Sequence, residues 1–200
     1  MLLNLSRRLF SNATKLFSPM KPEINIKKLK GFFRHDIAQL LEGDQNTGIE
    51  LGVAQGVFSK RMIDSKKFNH FFGVDMYADH HDVSEYVNTI KLIGVSANFK
   101  LFRMTFEQAL DLFEDEWFDF IYIDGYAHTG QEGGKTIHDW YKKLKRGGIL
   151  AGDDYHPEWP LVVEQVNHFV RQHKLELLLT DQVEPDDSWS RYPTWATIKK

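Results

Sequence analysis

What most constrains this chain is an alternation: from Gly31 onward, short apolar runs take turns with stretches of helical periodicity. TGIEL (47–51), HFFGVD (70–75), NFKLFR (98–103), FDFIYID (118–124) and GILAGD (148–153) read as strands. Helix-length segments lie between them, from the glycine turn after TGIEL to about Lys67, from Ser84 to Ile93, from Thr105 to Phe113 and from Gln131 to Leu144. Strands joined through a helix pair in parallel, because the crossover returns the chain to the same end of the sheet. The spacing therefore predicts an open parallel sheet with helices on both faces.

Local signals agree with that order. Thr105 opens T-F-E-Q, a threonine N-cap over an acidic first turn. Lys142, Lys143, Lys145 and Arg146, followed by Gly147-Gly148, close the helix that begins near Gln131. Pro160 falls in the first turn of one more helix, Trp159 to His173. LELLLT (175–180) and TWATIK (194–199) follow, joined by a polar loop too short for a helical crossover, so they are expected as an antiparallel hairpin. The fold class is α/β: a Rossmann-like, doubly wound, mostly parallel seven-stranded sheet with an antiparallel C-terminal hairpin.

A chain of 200 residues suits one domain with a substantial core. Residues 1–30 read as a basic N-terminal arm and 31–200 as the domain. Arg7, Arg8, Lys15 and Lys21 occur before the first acid, Glu23. Such a start resembles an organelle transit peptide, suits an anionic membrane surface, or is an arm or helix covering a sheet edge. No run approaches the ~20 apolar residues of a membrane span. The protein is expected to be cytoplasmic, with organelle targeting or peripheral membrane attachment as the alternative, and a homo-oligomer is open. A net charge of -3 gives no sign of a nucleic-acid binder. With no cysteine there is no disulfide, no thiolate nucleophile and no zinc–thiolate site, so a metal must use oxygen or imidazole ligands.

In a doubly wound sheet, ligands bind beyond the carboxyl ends of the strands where the strand order reverses. The first strand ends Glu50-Leu51-Gly52-Val53-Ala54-Gln55-Gly56. Gly52 permits a tight turn and close approach of a ligand, and Gly56 lets the next helix pack close. Asp75 ends the second strand, where a carboxylate can accept both hydroxyls of a ribose. The pattern is not G-x-G-x-x-G, which disfavours NAD. IELGVAQGVFS and GVDMY resemble the first two motifs of the class I S-adenosylmethionine-dependent methyltransferases, and the terminal hairpin is characteristic of them too. The resemblance covers about Gly31 to the C-terminus. It implies S-adenosylmethionine as cofactor, with Glu50 facing the methionine amino group, Gly52 and Gly56 lining the amino-acid part, Asp75 holding the ribose, and Met104 and Thr105 near the adenine.

Asp124 follows the fourth strand, and Asp153 and Asp154 the fifth. Neighbouring parallel strands bring their ends to one rim, and three like charges that close are unfavourable unless something positive sits between them. A divalent cation meets the need, since carboxylates, water and substrate hydroxyls make a hard octahedral site of the magnesium type. Each acid also has a plain reading, Asp124-Gly125 as a turn and Asp153 or Asp154 as a cap of the turn into Pro157.

YIDG followed by GGILAGDDY resembles the magnesium-dependent O-methyltransferases, catechol enzymes and especially the bacterial branch with sugar-modifying members. In the catechol enzymes the last pair is Asp-Asn, and a lysine after the first aspartate serves as base. Here the pair is Asp-Asp, and Ala127 stands near the lysine's place. His128, then His156, are candidates for base or extra ligand, because imidazole titrates near neutral pH; the ordinary reading of either is a loop residue with no role. Asp124 is the remaining candidate. His80 and His81 read as surface or cofactor-rim residues. Tyr126, Tyr155, Trp159, Trp189 and Tyr192 either wall a pocket or pack, and Trp195 packs. HTGQEGGK (128–135) reads as a lid or as the lead-in to a helix, and Lys135 as solvated or as a contact to an anionic group. The expected activity is metal-dependent O-methylation of a small polyhydroxylated acceptor, a sugar or a catechol-like ring. A methyltransferase-fold protein without metal chemistry and a non-enzymatic nucleoside-binding module are the alternatives.

Overall fold

The runs of apolar residues do form strands, and they assemble into one eight-stranded sheet in the order β1-β7-β8-β6-β5-β2-β3-β4. The computed structural model describes residues 23–78, 81–95, 98–125, 130, 132–184 and 191–200. The strands are β1 Ile26–Leu29, β2 Asn46–Leu51, β3 Phe68–Asp75, β4 Phe99–Arg103, β5 Phe118–Ile123, β6 Leu144–Gly152, β7 Leu177–Thr180 and β8 Trp195–Ile198. The helices are α1 Val57–Asp64, α2 Val83–Ile93, α3 Phe106–Leu110, α4 Lys135–Lys143 and α5 Pro160–His173. Only β8 runs against the rest, pairing antiparallel with both β6 and β7. The expected hairpin is present, and β8 lies between its partner and the parallel strands.

β2 pairs with β3 on one side and β5 on the other. The chain winds outward from β2 through β3 to β4, then crosses back to β5. The ends of β2 and β5, Leu51 and Ile123, thus flank the point where the strand order reverses. Ile49, Leu51, Ile121 and Ile123 face a core shared with α3, α4 and α5. Phe120 and Tyr122 face the opposite core, with Phe58 and Met62 of α1. This is the period-two division of a strand buried on both faces.

Four departures from expectation have local causes. The sheet has eight strands, not seven, because Ile26–Leu29 adds in parallel to β7. Three of its four side chains are exposed, so an edge strand of this kind carries no apolar run to read. A 3-10 turn at Arg34–Leu40 also went unforeseen; it buries Arg34, Ile37 and Ala38, and Asp36 accepts a hydrogen bond from the Phe33 N–H at its start. β6 begins at Leu144, with Gly147 at φ +78 in the strand where a turn was expected. The helix expected from Thr105 to Phe113 ends at Leu110, and Phe113 packs instead against Phe118 at 4.8 Å between ring centroids. Thr105 does cap it, in a reciprocal box with Gln108.

Trp195 on β8 is buried, with its ring against Gly152 where a Cβ would come within 2.7 Å. Trp195→Ala should destabilise the protein by about 3–5 kcal/mol, read from the midpoint of urea unfolding with the slope unchanged.

Candidate active site

Gly52 sits directly at the reversal point. Its N–H donates to the Val74 carbonyl at 2.8 Å, while Asp124 N–H donates to the Leu51 carbonyl at 2.7 Å. A Cβ on Gly52 would lie 1.9 Å from the Asp124 carbonyl oxygen, and its φ of +92 lies in the left-handed region. The turn therefore requires glycine for both space and backbone angle. Gly56, at φ +79, caps α1, and a Cβ there would press on Thr89 of α2.

The turn between these glycines is held from β3. Asp75 Oδ2 accepts the N–H groups of Val53 and Ala54, both at 2.9 Å, and Oδ1 accepts Tyr77 N–H at 3.0 Å. The Ala54 carbonyl in turn accepts the hydroxyls of Tyr77 and Thr89, both at 2.7 Å. The acid expected on a ribose thus first fixes the loop, with about one of the roughly four lone-pair positions of a carboxylate left over. Glu50 is buried at the end of β2 and accepts a hydrogen bond from Ser59 of α1. Burial pushes its carboxyl well above the usual range, against the pull of that hydrogen bond. Met104 N–H donates to the Asp75 carbonyl at 3.1 Å, which sets Met104 and Thr105 beside that strand end. The Thr105 hydroxyl is occupied as the α3 cap.

On the other side of the reversal point, β5 and β6 bring Asp124 and Asp153 together, as their spacing implied, and the charge between them is an arginine. Arg34 Nη2 lies 2.5 Å from Asp124 Oδ2, and Nη1 lies 3.1 Å from Asp153 Oδ2. The guanidinium also stands over the rings of Phe58, at 4.8 Å, and Tyr122, at 5.3 Å. Burial opposes its charge, but Tyr122, Asp124, Asp153 and Glu50 outweigh that and hold its pKa above the usual arginine range. The second oxygen of Asp153 accepts the Thr194 hydroxyl at 3.1 Å. Thr194 Oγ1 is in turn 3.1 Å from the Tyr122 hydroxyl. Because Thr194 gives its proton to the carboxylate, Tyr122 is the donor to Thr194.

Arg34 was not among the residues expected in the site. Its only local signal was a charged residue between Phe33 and the apolar Ile37-Ala38 pair.

These contacts bear on the expected magnesium site. Both oxygens of Asp153 and one of Asp124 already serve Arg34 and Thr194, so the acids do not fit a divalent cation in this arrangement. Among the described residues, no group of three or more His, Asp or Glu side chains is disposed to hold a metal. Asp154 does not join the pair symmetrically: at φ +60 it turns the backbone out of the strand, and it is half-buried where Asp153 is buried.

His156 is occupied on the surface. Its ring stacks on Tyr192 at 4.4 Å, and its Nδ1 accepts Glu158 N–H at 3.3 Å. Tyr192 donates to Glu158 at 2.5 Å, and Tyr155 donates to Asn167 of α5 at 2.9 Å. His81 pairs with Glu85 of α2 at 2.5 Å. Lys135 is half-exposed between Glu107 and Asp139, both at 2.9 Å, and Gly134 caps α4, so the glycines lead into that helix. The basic arm to residue 22, His80, Tyr126, Ala127, His128 and Trp189 lie outside the described residues.

A doubly wound sheet closed by an antiparallel last strand, with a glycine turn and facing acid at its reversal point, is the arrangement of the class I S-adenosylmethionine-dependent methyltransferases. The family described as "Methyltransferase domain" matches residues 49–155, more than half of the chain, and the chain belongs to that family. Uncharacterised protein R132 of Acanthamoeba polyphaga mimivirus is 27% identical over 142 residues, 68% of this chain. The match spans 64% of that relative's length. The structure resembles a proposed caffeoyl-CoA O-methyltransferase from Staphylococcus aureus at 14% identity, TM-score 0.61, covering 82% of this chain and 81% of that one. It also resembles the N-methyltransferase NodS from Bradyrhizobium japonicum WM9 at 16% identity, TM-score 0.58, covering 84% and 95%. At these identities the likeness is one of fold, and the two neighbours are described with different acceptor atoms.

Burial pushes the Asp153 carboxyl up to about 7, although Arg34 pulls the other way. A raised folded-state pKa means the native protein keeps a proton that the unfolded chain has lost. This group's contribution to stability is therefore complete below about pH 4 and declines to nothing as pH rises through 7. Chemical denaturation at a series of pH values should show Asp153→Asn with a flatter profile than wild type between those limits.

Proposed function

We propose that the protein transfers a methyl group from S-adenosylmethionine to a hydroxyl of a small polyhydroxylated acceptor, a sugar or a catechol-like ring. The observation that carries this reading is the pair of aspartates fixed beside the glycine turn, with the Asp124 carbonyl against Gly52. When bound, S-adenosylmethionine would supply an electrophilic methyl on a sulfonium, the methyl–sulfur bond breaking on transfer to leave a neutral thioether. Gly52 and Gly56 keep the backbone turn tight beside its amino-acid part, Glu50 and Asp75 offer carboxyl oxygens to its amino group and its ribose, and Met104 and Thr105 border the adenine end.

Asp124 is the residue for the acceptor. Its side chain is 25% exposed while that of Asp153 is 3% exposed, so an entering hydroxyl reaches Asp124 first. The Asp124 carboxylate takes the hydroxyl proton as the oxygen attacks, and the neighbouring guanidinium balances the negative charge on the acceptor oxygen. The protein's contribution is otherwise positioning of the two reactants, with no covalent enzyme intermediate. His128, four positions after Asp124 in the sequence, is kept as a second proton acceptor. No step is assigned to a divalent cation, because Arg34 and Thr194 hold the oxygens that it would need.

Calorimetry with S-adenosylmethionine comes first; a wild-type protein that does not bind it ends this reading. Asp75→Ala should weaken that binding about ten- to a hundredfold, the size of one lost charge-assisted hydrogen-bond set. A screen of phenolic and glycosyl acceptors for transfer of labelled methyl then identifies the substrate. On that substrate Asp124→Asn should lower kcat by about 10²–10⁴ with cofactor affinity unchanged.

A further inference from the structure

We propose that Arg34 is the built-in cation of this site: its guanidinium fills the space between Asp124 and Asp153 in which a divalent metal would have to stand, and the protein binds no such metal while it is there. The inference rests on the proposed role of the two aspartates but not on any acceptor, and its readout is metal binding, so it is decided separately from the reaction.

Three observations support it. The first is the fork itself. One guanidinium nitrogen serves each carboxylate, at 2.5 and 3.1 Å, which joins β5 to β6 as a bridging metal would. The second is anchorage. Arg34 begins a 3-10 turn whose Ile37 and Ala38 are fully buried. The segment before it is tied to the loop after β7, through Gly31 N–H to Asp181 at 2.8 Å and Gln182 N–H to the Phe32 carbonyl at 3.1 Å. The arginine therefore belongs to the folded core rather than to a side chain free to swing aside. The third is the lining. The Phe58 and Tyr122 rings, stacked at 4.0 Å, lie against the guanidinium, whose carbon is 4.8 and 5.3 Å from their centroids. A flat, weakly hydrated cation suits such walls, whereas a magnesium ion demands oxygen ligands and keeps several waters. Arg34 thus acts as a positioning residue: it orients Asp124 and supplies fixed positive charge beside it.

The test uses the full chain, freed of metal with chelator, and Mn2+ followed by electron paramagnetic resonance. Wild type should leave the free-ion signal intact. Arg34→Met, which removes the charge and keeps much of the stem, should take up Mn2+ at least about tenfold more tightly than wild type, and Asp153→Asn in that background should abolish the gain. Arg34→Lys keeps a cation and should stay silent. Uptake by wild type that Asp153→Asn removes overturns the proposal, as does a folded Arg34→Met that remains silent. If Arg34→Met is unfolded with and without Mn2+ by circular dichroism, wild type and Arg34→Lys decide. Uptake by either then overturns the proposal, and silence in both, with Arg34→Lys folded, supports it.

Discussion

Taking a carboxylate out of water is costly unless it is paired or hydrogen-bonded, and the rim of this sheet does so at Glu50, Asp75 and Asp153, with Asp124 partly exposed beside them. Arg34 is the interaction on which the rest depends. It pairs with Asp124 and Asp153 together, and without it two acids on adjacent strand ends would repel at the rim of the sheet. The other acids are satisfied by different means. Asp75 collects three backbone N–H groups. Glu50 takes a serine hydroxyl and is pushed toward its neutral form by burial.

Each of these solutions also shapes the site. Two of the three amides that satisfy Asp75, those of Val53 and Ala54, belong to the glycine turn, so that turn is held from β3. The Tyr122–Thr194–Asp153–Arg34–Asp124 chain links β5, the segment before β8, β6 and the N-terminal turn. Strands that are distant in sequence are thereby fastened at the end where the chemistry is proposed. The proposed catalytic geometry and the stability of the fold rest on the same contacts, as expected of a site whose groups must hold position before a substrate arrives.

Much of the architecture was legible because apolar periodicity reports burial directly. Strands buried on both faces, such as Phe118–Ile123, are continuous apolar runs, and helices are separated from them by glycine or capping residues. The elements that escaped notice bury little or bury something unexpected. Ile26–Leu29 is an edge strand with three exposed side chains, and Arg34–Leu40 hides a charged residue. In the site, Glu50, Gly52 and Asp75 were found at the strand ends from local pattern. Asp124 and Asp153 were foreseen as neighbours with positive charge between them, but the identity of that charge was not.

The sequence by itself determined the order of strands and helices from Asn46 onward, the glycine turn and the acids at the rim, because each of these follows from residues close together in the chain. The tertiary structure alone decided what neutralises those acids. Arg34 stands 90 positions from Asp124 and 119 from Asp153. Charge pairing depends on distance in space, and no periodicity near Arg34 marks it as the one to be buried. Only when the N-terminal turn folds over the ends of β5 and β6 does the cation that the acids require become an arginine.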